Sequence, residues 1–276
     1  MLQIGQYNQL QVLQNSDEGV CFDDGRDGEV WLAERESIQA KAGEFLEVFV
    51  YPDSTDRLIA TTRHPFAVLG EFTCLEVTSI QKVGAFLDWG LSKELFLPYR
   101  EQTRELSIGD RVCVFIYLDN SDRIAASMRI EKHVERIPDA YEDGERVDLF
   151  VFATTDLGFK AVINGRNMGM LYKDEVFQPL RPGQYVSGYI KNIRIDGKID
   201  LSLQQAGYKD CDEIAESILT LLEERGGHLE VGDKSSAETI YDLFGVSKKK
   251  FKMAVGSLYK KKLISIDGSA NGIRLN

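Results

Sequence analysis

The sequence lacks the features that place a protein in or across a membrane. No apolar run approaches the roughly 20 residues that a membrane-spanning helix needs. Residues 1–6, with the sequence MLQIGQ, have neither the basic head nor the apolar stretch of a secretion signal. We therefore expect no membrane partner and a cytoplasmic location.

Cysteine is scarce, and its spacing excludes the common metal sites. Cys21, Cys74, Cys113 and Cys211 lie far apart in the chain, and no two of them have the spacing of a zinc knuckle. Because cytoplasmic proteins keep their thiols reduced, we expect four reduced thiols, no metal and no other cofactor.

Catalytic motifs are missing as well. The sequence contains no nucleophile elbow, no Walker phosphate-binding loop and no zinc-protease spacing. His64, His133 and His228 are predicted at a strand end, in a linker and in a loop, and none belongs to a cluster with cysteine or aspartate. The sequence predicts a protein that is not an enzyme and has no small-molecule substrate.

The excess of basic residues that is typical of nucleic-acid-binding proteins is missing from the chain as a whole. The net charge is −11, and residues 1–150 carry 28 acidic and 15 basic residues. Residues 151–210 carry 6 and 8, and residues 211–276 carry 10 of each. Within the last segment, residues 247–262 hold seven lysines and no acid. A site for a polyanion is therefore expected in the C-terminal half.

What the sequence does have is one pattern in three copies. Shifting residues 43–63 by 66 positions gives nine identities in 21, and shifting residues 4–25 by 65 aligns six more positions, three of them glycine. A weaker third copy begins about 74 residues after the second. It keeps Gly144, Leu149, Val151, Gly158 and Gly183. A repeat of this length is a whole small domain.

Each copy predicts five short strands with apolar residues at every second position. Five such strands cannot bury two faces as an open sheet, whereas closure into a barrel removes the edges and gives one core. Gly19, Gly84 and Gly158 open the second strands and are predicted to form a bulge or a tight coil at a barrel corner. A five-stranded barrel of this size is an OB-fold.

The sequence after Gln204 predicts helices. Ile214, Ile218, Leu221 and Leu222 share one face of a first helix over residues 212–225. Residues 235–238 (SSAE) are predicted to be a capping box that opens a second helix, which ends at Gly245. Ser247 is predicted to cap a third helix, and a hairpin follows over residues 263–275. Three helices and a hairpin form a winged helix, with helices two and three as a helix-turn-helix pair.

The second copy contains Val83-Gly84-Ala85-Phe86-Leu87-Asp88-Trp89-Gly90, which resembles the S1-motif RNA-binding domain. Three such barrels followed by DLFGVSKKK (242–250) and GSLYKKKLI (256–264) resemble the bacterial conserved virulence factor B family along the whole chain. We predict barrels at residues 1–65, 66–135 and 141–206 and a winged helix at 210–276. The resemblance implies a cytoplasmic RNA-binding protein of post-transcriptional regulation with no catalytic domain.

No copy keeps the full RNA-binding face that the S1 pattern implies. The position of a histidine near the end of the third strand holds Ala33, Pro98 and Tyr172, and the basic position of the last strand holds Arg63, Arg129 and Gln204. The first copy is therefore expected to bind RNA poorly. In the second copy, Phe86 and Arg129 are the candidates, and Trp89 is a weaker one. The candidates in the third copy are Lys160, Arg166, Tyr172, Lys173, Lys191 and Arg194.

The strongest candidate for nucleic-acid contact is the lysine-rich segment of the winged helix. Without an acid nearby, its lysines cannot form the ion pairs that helices of soluble proteins commonly use. Lysine supplies phosphate contacts rather than base readout, so sequence-tolerant binding is expected. The seven residues are Lys248, Lys249, Lys250, Lys252, Lys260, Lys261 and Lys262.

Three functional hypotheses remain open from the sequence. In the first, barrel three and the winged helix bind single-stranded RNA. In the second, the winged helix binds DNA and the chain regulates transcription. In the third, the acidic barrels one and two dock on a protein partner, for example a ribosomal, polymerase or RNA-decay protein.

Overall fold

The computed structural model describes residues 2–16, 19–26, 28–32, 40–135, 141–176, 178–204, 211–232, 234–267 and 272–276. Within these ranges the chain forms three closed five-stranded barrels and a C-terminal domain of helices and a small sheet. The predicted fold class is confirmed.

The three barrels have the same strand order, in which the third and fifth strands pair in parallel and the other neighbours are antiparallel. Barrel one consists of β1 (Gln6–Ser16), β2 (Gly19–Asp23), β3 (Glu29–Leu32), β4 (Phe45–Pro52) and β5 (Leu58–Thr61). Barrel two consists of β6 (Phe72–Gln81), β7 (Gly84–Leu87), β8 (Leu95–Pro98), β9 (Arg111–Leu118) and β10 (Ile124–Ser127). Barrel three consists of β11 (Arg146–Thr154), β12 (Gly158–Ile163), β13 (Asn167–Tyr172), β14 (Tyr185–Ile193) and β15 (Ile199–Ser202).

The bulge that the sequence assigned to the glycines lies on the first strand of each barrel instead. The strand register shifts between Val12 and Gln14, and at the equivalent places in β6 and β11. Gly84 and Gly158 are required for a different reason, because the third strand passes too close for a side chain. A Cβ atom on Gly158 would lie 2.0 Å from the Leu171 carbonyl oxygen, and one on Gly84 would lie 2.3 Å from that of Leu97.

Aromatic side chains join the barrels to one another. Phe49 and Tyr51 of barrel one are buried against Trp89 of barrel two, with ring centroids 5.6 and 6.4 Å from the indole. The Trp89 indole N–H donates to the Ala67 carbonyl at 2.8 Å. Only 2% of Trp89 is exposed, so the residue is a packing element and its candidacy for RNA stacking was wrong.

Barrels two and three share a second buried cluster. Phe72, Ile130, Phe150 and Val162 form its core, and the Tyr185 hydroxyl donates a hydrogen bond from barrel three to the Phe72 carbonyl. His133, expected in a linker, follows a short 3₁₀ helix (Ile130–Lys132) and stacks on Phe115 at 4.5 Å. Apolar packing thus fixes barrel three against barrel two.

The C-terminal domain has the predicted order of helices and strands. It contains α1 (Cys211–Glu224), β16 (His228–Leu229), α2 (Ala237–Phe244), α3 (Lys248–Lys260), β17 (Ile264–Asp267) and β18 (Gly272–Leu275). The sheet order is β16-β18-β17, so His228 lies in a short strand rather than in the predicted loop. Ile214, Ile218 and Leu222 of α1 are buried against α2 and α3, while Leu221 is half-buried.

Both helix starts of the helix-turn-helix pair have serine caps, one of them shifted from the prediction. The cap of α2 is Ser236, which accepts from the Thr239 N–H, so the predicted capping box built on Ser235 and Glu238 was wrong by one residue. Ser247 accepts from the Lys250 N–H and caps α3 as predicted. Gly245 ends α2 in the left-handed conformation, with φ 67°.

Replacing Ser247 by alanine is expected to lower the free energy of unfolding of the winged helix by about 1 kcal/mol, because the cap hydrogen bond is lost. The effect is measured as the change in hydrogen-exchange protection of α3 in the full chain. Ser247→Asp is the matched control. It keeps an acceptor and adds a negative charge next to the helix N-terminus and its lysines, so its stability should equal or exceed that of the wild type.

Candidate nucleic-acid interface

One cross-strand pair occupies the same place on the outer surface of every barrel. The pair joins the second and third strands and is Cys21 with Trp31 in barrel one, Phe86 with Phe96 in barrel two and Lys160 with Met170 in barrel three. In OB-folds this surface is where oligonucleotides bind. Barrels two and three therefore present this position with different chemistries, whereas in barrel one Cys21 is fully buried and Trp31 is half-buried.

Barrel two presents aromatic side chains on this surface. Phe86 and Phe96 are half-buried, with ring centroids 5.3 Å apart. Val83 and Tyr99 flank the pair with 62% and 60% of their surface exposed. Phe96 was not among the candidates predicted from the sequence, although its position ten residues after Phe86 on the neighbouring strand was a usable signal.

Arg129, the other barrel-two candidate, lies near the turn that follows β8. Its Nε donates to the Arg100 carbonyl at 2.7 Å, which holds the half-buried guanidinium next to the turn that carries Tyr99. Phe86 and Arg129 therefore belong to one side of barrel two. The arrangement offers stacking surface and one nearby cation, which are the two elements of single-strand binding.

In barrel three, three of the candidate cations form ion pairs within the protein. Lys160 binds Glu131 at 2.6 Å, Lys191 binds Glu175, and Arg194 binds Asp200 at 3.0 Å. Exposed pairs of this kind contribute about 0–1 kcal/mol, so a phosphate can displace the carboxylate at little cost. A ligand can bind these cations only by displacing their carboxylate partners.

Tyr172 lies in a small network with one of these cations. Its hydroxyl donates to the Asp200 carboxylate at 3.3 Å and accepts from the Arg194 guanidinium at 2.6 Å. The guanidinium carbon also lies 5.8 Å from the centre of the tyrosine ring. The hydrogen bond to Asp200 is the main cause of a raised pKa for Arg194.

The structure does not bring all six barrel-three candidates together. Lys173 is exposed directly after Tyr172, but Arg166 is at the other end of the β12–β13 hairpin, next to the turn. Five residues of strand separate Arg166 from the end of β13, which corresponds to roughly 17 Å. Arg166 belongs to the linker side of the barrel, where its carbonyl accepts from the Glu135 N–H at 2.8 Å.

A basic cleft that the sequence did not reveal lies where barrels two and three meet. Its volume is about 600 Å³. Arg104, Arg111, Arg129 and Lys132 line it, and Glu131 is the one carboxylate among its lining residues. Arg104 pairs with Asp110 and Glu131 pairs with Lys160, so Arg111, Arg129 and Lys132 leave the cleft with an excess of positive charge. These cations are spread over residues 104–132, and the fold of barrel two brings them together, while uncharged residues of barrel three complete the cleft.

The lysine-rich segment covers the outer surface of α3. Phe251, Ala254, Val255 and Leu258 face the core, so the helical period places Lys249, Lys252 and Lys260 on the opposite side. Within the described part of the chain, Lys248, Lys249, Lys250, Lys260 and Lys262 have no acidic partner within ion-pair distance. Lys261 and Lys262 follow the helix and are exposed.

Two further residues share this outer side of α3 and were missed. Met253 is 59% exposed on the same side as Lys249 and Lys260, and Tyr259 is 55% exposed on the flank that carries Lys252. The apolar stripe Phe251, Val255 and Leu258 is predictable from the sequence and is buried, but the period alone does not show that Met253 and Tyr259 are exposed. An exposed aromatic among unpaired cations adds a stacking surface to the phosphate contacts.

Barrel three contacts the winged helix at the turn before α3. The Gln204 side-chain amide donates to the Gly245 carbonyl at 3.2 Å, in the turn between α2 and α3. Gln204 follows β15 at the position where the S1 pattern has its last-strand basic residue. The turn of the helix-turn-helix therefore lies against the end of β15.

Family models match the chain over more than half of its length. The S1 domain matches residues 4–63 and 69–129, and the CvfB-like winged helix domain matches residues 216–275. The predicted resemblance to the conserved virulence factor B family is confirmed, since the chain contains S1 domains and a CvfB-like winged helix domain. The matched domains of this family are nucleic-acid-binding domains rather than enzymatic ones.

Relatives of the family span most of the chain. Conserved virulence factor B of Staphylococcus saprophyticus is 26% identical over 83% of this chain and 79% of its own length. YitL of Bacillus subtilis, an uncharacterized protein, is 28% identical over 93% and 89%. A crystal structure of a multidomain protein with nucleic acid binding domains from Streptococcus pneumoniae is similar at 24% identity, 99% and 98% coverage and a TM-score of 0.43.

The described residues form neither a metal-binding cluster nor a membrane-spanning helix. No group of three histidine, cysteine or acidic side chains among them could hold a metal ion. No helix in those same ranges has the length and apolarity to cross a membrane.

Proposed function

We propose that this protein is a non-enzymatic RNA-binding protein that holds single-stranded RNA with little base preference and acts in post-transcriptional regulation in the cytoplasm. The observation that carries the proposal is the outer side of α3. Five lysines in and after this helix have no acidic partner in the described ranges, and Met253 is exposed beside two of them, with Tyr259 exposed on the adjacent flank.

The residue types on α3 favour phosphate contact over base readout. Reading bases in a DNA groove relies on arginine, asparagine or glutamine, which form two hydrogen bonds with a base edge. The outer side of α3 offers lysine, methionine, glycine, serine and tyrosine, and no arginine, asparagine or glutamine. Lysine neutralises phosphate and tyrosine stacks on any base, so this combination supports sequence-tolerant binding of a single strand.

The hydrogen bond between Gln204 and Gly245 supports a continuous binding surface. It joins the end of β15 to the turn before α3. Tyr172 ends β13 and Arg194 directly follows β14, the two strands that pair with β15. In this proposal, RNA runs from barrel three onto the winged helix. The aromatic surface of barrel two and the basic cleft then extend the path in the other direction.

Barrel one has the wrong charge for the same role. The groove that includes Trp31 is also lined by Asp24, Glu29 and Asp53, with Arg57 and Lys93 as its cations. Asp53 binds Arg57 at 3.3 Å, which leaves the groove with an excess of negative charge. We infer that barrel one serves as a spacer or as a docking module for a protein partner.

The test is binding of the full chain to homopolymer RNAs and to duplex DNA across a salt series. Homopolymer RNAs should bind within about tenfold of one another, and log K should fall linearly with log salt by about 0.7 for each phosphate contact. Duplex DNA should bind more weakly at every salt concentration. Sequence-specific duplex binding that displaces RNA would instead identify a DNA-binding regulator.

A further inference from the structure

Two cysteines that are 39 positions apart in the sequence face each other in barrel two. Cys74 of β6 and Cys113 of β9 are direct partners in the antiparallel pair. Opposite residues of such a pair have Cβ atoms about 4.5–5.5 Å apart. A disulfide needs a Cβ separation of roughly 3.5–4.5 Å, so a small approach of the two strands suffices to form one. Both thiols are free in this structure.

The surroundings give the two thiols different chemistry. The Cys113 thiol donates a hydrogen bond to the Cys74 sulfur, and Arg111 lies beside it, which together lower the pKa of Cys74 despite its partial burial. The Arg111 guanidinium also donates to the Cys74 carbonyl at 3.2 Å. The same sulfur–sulfur hydrogen bond and burial raise the pKa of Cys113. The Cys74 thiolate is therefore suited to attack an oxidant first, and the Cys113 thiol is suited to react with Cys74 afterwards.

The pair is reachable and lies at a junction of domains. Both cysteines are half-buried, and Cys113 lines the basic cleft between barrels two and three. Gly183 of barrel three packs directly on Cys74, since a Cβ atom there would be 2.9 Å from the Cys74 sulfur. A small oxidant can enter through the cleft. A change at the sulfurs would alter the contact between Cys74 and Gly183 of barrel three.

We propose that Cys74 and Cys113 form a redox-active dithiol that a peroxide oxidises to a disulfide. The Cys74 thiolate attacks one oxygen of hydrogen peroxide, the O–O bond breaks, and hydroxide leaves with a sulfenic acid on Cys74. The Cys113 sulfur then attacks the Cys74 sulfur and displaces a second hydroxide. With the proton lost by each thiol, both hydroxides leave as water, and the peroxide takes up the two electrons that the thiols lose.

The experiment treats the reduced full chain in a Cys211→Ser background with hydrogen peroxide and maps the tryptic peptides by mass spectrometry. Peptides 64–82 and 112–123 should become linked with a loss of two hydrogens, while Cys21 stays reduced. Cys21 is the internal control, because burial and Glu29 raise the pKa of its thiol to about 11. Iodoacetamide at pH 7 should label Cys74 at least about tenfold faster than Cys21, since the thiolate is the reactive form.

Single variants separate the two roles. Cys113→Ser should leave a Cys74 sulfenic acid that dimedone traps, whereas Cys74→Ser should leave Cys113 unreactive toward both peroxide and dimedone. If the wild type forms no Cys74–Cys113 link, or if the two variants react alike, the proposal is overturned. The peptide mapping uses the wild-type pair, so the result does not depend on how well a variant folds.

Discussion

Replacing Lys249 and Lys260 together by alanine should weaken binding of single-stranded RNA about 25-fold at 0.1 M salt, independently of RNA sequence. Each lost phosphate contact lowers the slope of log K against log salt by about 0.7, which is about 0.7 of a decade in affinity at 0.1 M. Both lysines are exposed on the outer side of α3 without an acidic partner in the described ranges. The measurement is the RNA affinity of the full chain across a salt series.

The double variant should leave the fold intact. Lys249 lies in the first turn of α3, where its charge opposes the helix dipole, and Lys260 lies in the last turn, where its charge is favourable. The two small effects on stability therefore offset each other. Lys41→Ala/Lys82→Ala is the charge-matched control, since both lysines are exposed in the acidic barrels. Equal losses in the two double variants would show that net charge, and not the α3 surface, controls binding.

Replacing Gly158 by alanine should destabilise barrel three by about 2–6 kcal/mol. The added Cβ atom would lie 2.0 Å from the Leu171 carbonyl oxygen, a backbone atom that cannot move without breaking the β12–β13 pairing. Overpacking of this kind costs about 1–3 kcal/mol. The φ of 151° adds a backbone cost of about the same size for a residue with a side chain.

The readout should be local because a chain of four domains has no single free energy of unfolding. Hydrogen exchange of β12 and β13 in the full chain should quicken strongly in Gly158→Ala. Gly19→Ala is the matched control at the same place in barrel one, where the nearest atom to a Cβ, Trp31 Cε3, is 3.9 Å away. It pays only the backbone cost, about 1–3 kcal/mol. Equal effects in both variants would show that the close strand approach is not what requires glycine at position 158.

Local features of the fold could be read from the sequence with little error. The alternation in β1, the inward positions Val48 and Val50 of β4, the stop at Gly245 and the cap at Ser247 depend on a few neighbouring residues, and the structure has them where the sequence put them. In β4 the other face is buried as well, because Phe49 and Tyr51 pack on barrel two. The errors concerned contacts between strands. The bulge moved from the glycines to the first strand, because the spacing of two paired strands, and not one residue's freedom, decides where the extra residue fits.

The candidate site was predictable only where it lies on one element. The lysines of α3 are close in sequence and therefore close in space. Arg104, Arg111, Arg129 and Lys132 are spread over barrel two and the turn after it, and the packing of barrel three on barrel two, which includes Phe72 on Phe150, encloses them in one cleft. The packing of Trp89 on Phe49 and Tyr51 also excludes it as a residue that stacks on RNA bases. The sequence alone cannot distinguish an aromatic residue that joins two barrels from one that stacks on a base.

The sequence by itself determined the number of domains, the closed-barrel fold and the place of the unpaired positive charge. These follow from repeat length, two-residue alternation and the local balance of lysine and acid, all of which are properties of neighbouring residues. The tertiary structure decided which aromatics face solvent, which cations already have a carboxylate partner, and that Cys74 meets Cys113. Those depend on strand register and on how one barrel packs on the next, and residues far apart in the chain come together only through such contacts.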